Sequence, residues 1–116
     1  MAKKILLALL FIIIVVIIKQ RFFDFTDYTS MIKDGAIIVD VRSETEFLTG
    51  NIDKSINIPV SDISSHLNKL KDKEQVIITC CASGIRSAAA KQMLISKGYK
   101  NVINGGGWSS LKRKIK

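Results

Sequence analysis

The distribution of apolar residues divides the chain into two unequal parts. Residues 5–18 contain no charged or polar side chain, whereas the sequence from Lys19 onward mixes apolar, polar and charged positions as a soluble protein does. In this second part, short β-branched runs alternate with stretches of helical periodicity, which is typical of β-α-β units with a parallel sheet. The pattern therefore predicts an α/β domain with a central parallel sheet flanked by helices, preceded by one apolar helix.

The apolar N-terminal segment predicts a membrane anchor. Lys4 and Lys19 flank it, and no small-residue cleavage site follows, so we expect the segment to be retained. Its fourteen residues rise about 21 Å as a helix, against roughly 30 Å of hydrocarbon, so a full span would need the flanking residues as well. We expect residues 1–22 to form a single-pass transmembrane anchor in a lipid bilayer, and residues 23–116 to form the soluble domain.

Four segments of the domain predict strands, at residues 36–41, 55–58, 75–80 and 102–103. The third is apolar or small on both faces from Val76 onward, as a central parallel strand buried on two sides should be. We therefore expect it to lie in the middle of the sheet.

Three segments between the strands predict helices. Ser43 and Glu46 have the spacing of a capping box at the start of the first helix, which we expect to end at Gly50. The second is expected over residues 61–70 and the third over residues 84–97. Arg42 has the spacing to tie the first strand to the first helix by an ion pair with Glu46.

A cysteine at the end of the central strand is the candidate nucleophile. Cys81 is followed by a short Ser-Gly loop and then by a helix. Ligands of open α/β sheets bind beyond the carboxyl ends of the strands, where loop N–H groups and the helix N-terminus favour an anion. The same groups, together with Arg86, should lower the pKa of the Cys81 thiol below about 8.5, the value of a free cysteine. The arrangement is suited to attack on a substrate with a negative group.

Three motifs, which follow one another along the chain in the same order as in the family, resemble the rhodanese-type sulfurtransferases. Residues 81–87 resemble its Cys-x-Ser-Gly-x-Arg-Ser loop, residues 40–47 its Asp-Val-Arg-x-x-x-Glu-Phe segment, and residues 50–59 the stretch that follows. The closing segment differs: Leu111 stands where the family commonly has Trp, and Trp108 comes directly after three glycines. This ending is similar to that of exported single-domain members of the phage-shock-protein E type.

The resemblance implies a two-step sulfur transfer through a cysteine persulfide. Cys81 would be the catalytic residue, Arg86 would hold a small anionic donor such as thiosulfate, and a thiol or cyanide would accept the sulfur. The family uses no cofactor or metal ion in this reaction, and we expect a monomer. The remaining substrate-binding residues implied by the resemblance are Ala82, Ser83, Gly84, Ile85 and Ser87.

Two alternatives remain open at the level of sequence. Counting from Cys80 gives Cys-x5-Arg, the spacing of cysteine phosphatases and arsenate reductases. In the favoured register Cys80 is the buried last residue of its strand. The other alternative is a non-catalytic docking module held at a membrane. The single histidine, His66, is expected at the surface and not in catalysis.

The charge pattern indicates lipid more than nucleic acid. The formal net charge is +8, and much of it lies in the last five residues. No basic stripe with interleaved aromatic residues accompanies it, so we expect no nucleic-acid partner. Basic residues flank both ends of the anchor, which leaves its orientation open under the positive-inside rule. The resemblance to exported sulfurtransferases favours the outer face of the membrane for the domain.

Overall fold

The computed structural model describes residues 2–22 and 26–116, and its centre is a four-stranded parallel sheet. The strands are β1 (Ile37–Asp40), β2 (Ile56–Asn57), β3 (Val76–Cys81) and β4 (Asn101–Gly107). Their order across the sheet is β2-β1-β3-β4, so β1 and β3 are the central strands. The carboxyl ends of β1 and β3 lie side by side, with Asp40 paired in register with Cys80.

Within the described residues, five α-helices and two short 3-10 helices accompany the sheet. They are α1 (Ala2–Phe22), α2 (Tyr28–Lys33), α3 (Glu44–Thr49), the 3-10 helices Val60–Ser65 and Leu67–Lys69, α4 (Ile85–Ser96) and α5 (Trp108–Lys114).

Two hydrophobic clusters cover the two faces of the sheet. Successive side chains of a strand point to opposite faces, and β3 shows this clearly. Ile77 and Cys81 belong to the cluster that includes Leu94 of α4. Ile78 and Cys80 belong to the cluster that includes Leu111 of α5. The two neighbouring cysteines therefore lie on opposite sides of the sheet.

The expected α/β fold is confirmed, and its central elements lie close to their predicted positions. The four strands overlap the predicted segments, and the capping box at α3 is present, with Ser43 and Glu46 exchanging hydrogen bonds. The third predicted helix corresponds to α4.

Three local expectations were wrong. The single helix predicted over residues 61–70 is two 3-10 helices separated at His66. The last strand, predicted over residues 102–103, runs from Asn101 to Gly107, so the three glycines that follow the predicted strand lie in β4. β3 ends at Cys81 and not at Cys80, because Cys81 still pairs with Gly107 across a bulge.

The predicted N-terminal segment is helical, but the expected membrane span is not found. Among residues 2–22 and 26–116, no helix combines the length and the apolarity needed to cross a membrane. The uncharged run of residues 5–18 is bounded by Lys4 and Lys19, and its helical rise of about 21 Å falls short of a hydrocarbon core of roughly 30 Å. The predicted boundary at residues 22 and 23 adjoins residues outside the described ranges.

Candidate active site

The candidate nucleophile lies where β3 passes into α4. Cys81 is the last residue of β3, and α4 begins four residues later, at Ile85. Gly84 makes this short connection possible because it adopts a left-handed conformation with φ of 99°. The sharp reversal brings the N-terminal turn of α4 back over the end of the strand.

The sulfur of Cys81 forms hydrogen bonds within this turn, accepting from Gly84 and donating to Ser87. The N–H of Gly84 lies 2.9 Å from Sγ, and the Cys81 thiol lies 3.5 Å from Oγ of Ser87. Burial raises the pKa of the Cys81 thiol, since it disfavours a charge. Hydrogen bonds from the hydroxyl and N–H of Ser87, and from the N–H groups of Gly84 and Ser83, outweigh burial, so this pKa is lowered from its ordinary value. The turn therefore stabilises a thiolate.

Cys81 has no exposed surface in this state, although the residues beside it do. Ala82, Ser83 and Ile85 are exposed, and Ile85 retains 79% of its accessible surface. Ala82 and Ile85 lie in the predicted loop, but within the described chain they donate no hydrogen bond to Sγ. The loop therefore presents exposed residues beside a buried sulfur.

Asn104 of β4 is a site residue that the sequence analysis missed. Ser87, which is completely buried, donates its hydroxyl to Oδ1 of Asn104 at 2.6 Å. The same oxygen accepts the N–H of Gly106 at 2.9 Å, and Nδ2 of Asn104 donates to the carbonyl of Gly84 at 3.2 Å. Asn104 therefore connects the loop, the hydroxyl beside the sulfur and the edge strand. Its position directly before three glycines was the only signal in the sequence.

The glycines of β4 allow the loop to lie against this strand. A Cβ at Gly107 would lie 3.0 Å from the carbonyl oxygen of Ala82, closer than side chains normally approach. Gly107 therefore provides space for the loop that carries Cys81, and a larger residue there would push that loop away.

Arg86 is bound to a carboxylate in this structure. Its Nη1 and Nη2 donate to Oε1 and Oε2 of Glu46 at 2.7 and 2.9 Å. The expected ion pair between Arg42 and Glu46 was therefore wrong in its partner. Arg42 donates to the backbone carbonyl of Glu46 at 3.2 Å, and its charge pairs with the buried carboxylate of Asp40 at 2.7 Å. The exposed side of α3 leaves the Glu46 carboxylate free to reach α4.

The buried Asp40–Arg42 pair supports the part of the site that carries Glu46. Arg42 also donates to the carbonyl of Gly50 at 2.6 Å, and its guanidinium lies 4.4 Å from the ring centroid of Trp108. Asp40 and Arg42 are 0% and 3% exposed. This buried network ties the end of β1 to the middle and the C-terminal end of α3, and thereby fixes the position of Glu46.

Cys80 and His66 lie apart from the chemistry. Cys80 is buried in the opposite hydrophobic cluster, and burial raises the pKa of its thiol to about 12. A thiol that stays protonated is a poor nucleophile, which disfavours the phosphatase register. His66 is half-buried, and its Nδ1 lies 2.9 Å from the carbonyl of Asp62. Among the described residues no cluster of potential metal ligands is found.

This geometry agrees with the sequence families that match the chain. The family model for the rhodanese-like domain matches residues 24–114. The chain belongs to the rhodanese-like domain family. The match includes both the Cys81 loop and the glycines of β4.

The relatives of this chain are named for different activities. A protein of Schizosaccharomyces pombe with the provisional name mitochondrial thiosulfate sulfurtransferase is 35% identical over 69% of this chain and 66% of its own length. Thiosulfate sulfurtransferase PspE of Escherichia coli is 30% identical over 60% of this chain and 67% of its own. A tRNA uridine(34) hydroxylase of Prochlorococcus marinus is 36% identical over 72% of this chain, but over only 30% of its own length. The chain therefore corresponds to one part of that longer enzyme.

Solved rhodanese structures share the fold. A structure described as an E. coli rhodanese with anions has a TM-score of 0.61 and 28% identity, and the match covers 65% of this chain and 89% of that one. A rhodanese-like domain protein of Staphylococcus aureus has a TM-score of 0.60 and 31% identity over 66% and 74% of the two chains. The rhodanese-like family is thus supported by both sequence and fold.

Proposed function

We propose that this chain is a sulfurtransferase that carries sulfane sulfur as a persulfide on Cys81. The observation that carries the proposal is the hydrogen-bonded environment of Sγ, in which Gly84 and Ser87 stabilise a thiolate at the end of the central strand. The names of the S. pombe and E. coli relatives agree with this activity. The hydrogen-bond donors of residues 81–87 surround one sulfur atom, which suits an anionic sulfur.

The first half-reaction loads the enzyme. The thiolate of Cys81 attacks the outer sulfur of a donor such as thiosulfate. A new sulfur–sulfur bond forms, the bond within the donor breaks, and its electron pair leaves with sulfite. The N–H of Gly84 and the neighbouring donors can hold the terminal sulfur of the persulfide as they hold Sγ.

The second half-reaction returns the enzyme to its starting state. A thiolate or cyanide attacks the terminal sulfur of the persulfide, and the electron pair of the broken bond remains on Cys81 as a thiolate. No group has to remove a proton from Cys81 in either step when its thiol is already ionised. This accounts for a site whose chemistry needs no histidine.

A thiosulfate–cyanide assay tests the proposal. Thiocyanate should form with the wild type and with Cys80→Ser, and its formation should cease with Cys81→Ser. Cys80 provides a matched control, because it is the neighbouring buried thiol on the other face of the sheet. Failure of the wild type to form thiocyanate or to accept sulfur from any donor would favour the docking module instead.

We also propose that α1 attaches the protein to a lipid bilayer. Its large apolar side chains are exposed, with Phe11 retaining 68% and Leu7 65% of their surface. Exposed aliphatic side chains gain roughly 25 cal/mol per Å² when they leave water. Full-length protein should sediment with vesicles, and the double substitution Leu9→Asp with Ile13→Asp should abolish this. Aspartates at the exposed positions Ser64 and Asn68 serve as the control.

The outer face of the membrane remains our prediction for the domain. It rests on the resemblance to exported single-domain sulfurtransferases. A membrane-impermeant amine reagent applied to intact cells should label the exposed lysines of the domain, such as Lys97 and Lys100. Labelling only after lysis would contradict this placement.

A further inference from the structure

The charge of Arg86 is neutralised before any donor arrives. Both of its terminal nitrogens donate to Glu46, at 2.7 and 2.9 Å, in the two-bond geometry that is strongest for these groups. A donor therefore meets a neutral pair, and not a free guanidinium. Arg86 retains further N–H groups that can donate to a ligand, but its positive charge is already matched by a negative one.

Glu46 is also held by hydrogen bonds within its own helix cap. Its Oε1 accepts the N–H of Ser43 at 3.2 Å and the hydroxyl of Ser43 at 3.1 Å, as part of the capping box of α3. The hydrogen bonds from Arg86 and then from the backbone of Ser43 lower the pKa of the Glu46 carboxyl to about 2, although burial acts in the opposite direction. The carboxylate therefore stays ionised at any physiological pH.

The buried charges of the described residues also form a pair. Arg42, a buried cation, is paired with Asp40 at 2.7 Å. The attraction left for an anion comes from the N–H groups at the start of α4, whose partial charges amount to roughly half an elementary charge. This attraction suits one negative charge. A second negative charge on the donor would have no matching charge from Arg86, because Glu46 already neutralises it.

We propose that the site prefers sulfane-sulfur donors with one negative charge, such as an organic thiosulfonate or an ionised persulfide, over the thiosulfate dianion, and that Glu46 sets this preference through Arg86. This inference rests on the proposed sulfurtransferase function. It narrows the donor to a charge class and assigns the specificity to a residue that touches neither the donor nor the sulfur.

The reaction with a thiosulfonate balances in the same way as that with thiosulfate. The Cys81 thiolate bonds to the outer sulfur of R–SO2–S⁻, the donor's sulfur–sulfur bond breaks, and the electron pair leaves with the sulfinate. The products are the ionised persulfide and R–SO2⁻, so the total charge is conserved. Thiosulfate gives the same persulfide and sulfite. The two donors thus differ in one charge and in the leaving group.

The variant Glu46→Gln tests the proposal without breaking the helix cap, because the amide oxygen of Gln can still accept from Ser43. With cyanide as acceptor, kcat/KM should be measured for thiosulfate and for benzenethiosulfonate. Comparing each donor with itself across variants removes the effect of the leaving group. We expect Glu46→Gln to raise kcat/KM about tenfold for thiosulfate and at most about threefold for the thiosulfonate.

Glu44→Gln is the matched control. Glu44 is exposed, lies in the same first turn of α3 and carries the same charge, whereas Glu46 is the carboxylate that pairs with Arg86. Glu44→Gln should change kcat/KM for each of the two donors by less than about twofold. If Glu46→Gln changed kcat/KM equally for both donors, or lowered kcat/KM for thiosulfate alone, the specificity assignment would be overturned. The proposed sulfurtransferase function would stand. No turnover of the wild type with either donor would overturn both proposals.

A second measurement needs no variant. Sulfate and methanesulfonate have similar shapes and differ by one charge. As competitive inhibitors of the wild type, methanesulfonate should bind at least as tightly as sulfate. Tighter inhibition by sulfate, by tenfold or more, would show that the site accepts a dianion and would contradict the proposal even if Glu46→Gln failed to fold.

Discussion

The hydroxyl of Ser87 donates to Oδ1 of Asn104 at 2.6 Å, while its oxygen lies 3.5 Å from Sγ of Cys81. A serine hydroxyl has one proton, so it cannot serve Asn104 and a thiolate at the same time. When Cys81 ionises, the hydroxyl can turn toward the sulfur, because Oδ1 of Asn104 keeps the N–H of Gly106 at 2.9 Å. Asn104 is therefore a positioning residue that competes with the nucleophile for this proton.

Ser87→Ala should raise the pKa of Cys81. The substitution removes the hydroxyl that lowers this pKa, and a hydrogen bond to a charged group is worth about 1.5–3 kcal/mol. At neutral pH the thiolate fraction, and with it the rate of alkylation by iodoacetamide, should fall roughly tenfold. The midpoint of the rate against pH reports the change directly. An unchanged midpoint would show that the backbone donors alone set the pKa.

Asn104→Asp should also raise the pKa of Cys81, and part of the effect should depend on Ser87. A carboxylate accepts the Ser87 hydroxyl more strongly than an amide does, and so withholds it from the sulfur. The direct repulsion between Asp and thiolate is independent of Ser87. The alkylation midpoint should therefore shift more in the wild-type background than in Ser87→Ala. Equal shifts in the two backgrounds would assign the whole effect to repulsion.

Arg42→Met should destabilise the domain by about 3–5 kcal/mol in urea unfolding, because it leaves the buried carboxylate of Asp40 without its partner. Lys100→Met is the control: Lys100 pairs with Glu74 at the surface, where both side chains are more than 60% exposed. Its loss should cost less than about 1 kcal/mol. Similar costs for the two variants would contradict the structural role assigned to the buried pair.

The parts of the fold that could be predicted from the sequence depend on local pattern. The capping box joins residues three positions apart, and the Gly84 turn lies between a clear strand and a clear helix. Val60, Ile63 and Leu67 have the spacing of one helix face. Two consecutive 3-10 helices place the same side chains against the core, which explains why they were mistaken for one α-helix. α2 has six residues, too few to establish a helical period.

The partners within the site could not be predicted, because they come together only in three dimensions. Glu46 and Arg86 are 40 positions apart, and Ser87 and Asn104 are 17 apart. The motif predicted Arg86 near Cys81 but did not show that the carboxylate of Glu46 would pair with its guanidinium. Composition and spacing therefore located the sulfur, and the tertiary structure supplied the groups that control its charge.

The most direct test of the account is the mass of the protein after treatment with thiosulfate and removal of excess donor. The intact wild type should gain the mass of one sulfur atom, and peptide fragmentation should place it on Cys81. Cys80→Ser should gain the same mass, Cys81→Ser should gain none, and cyanide should remove the added sulfur. Sulfur found on Cys80, or retained by Cys81→Ser, would contradict the assignment of Cys81 as the sulfur carrier.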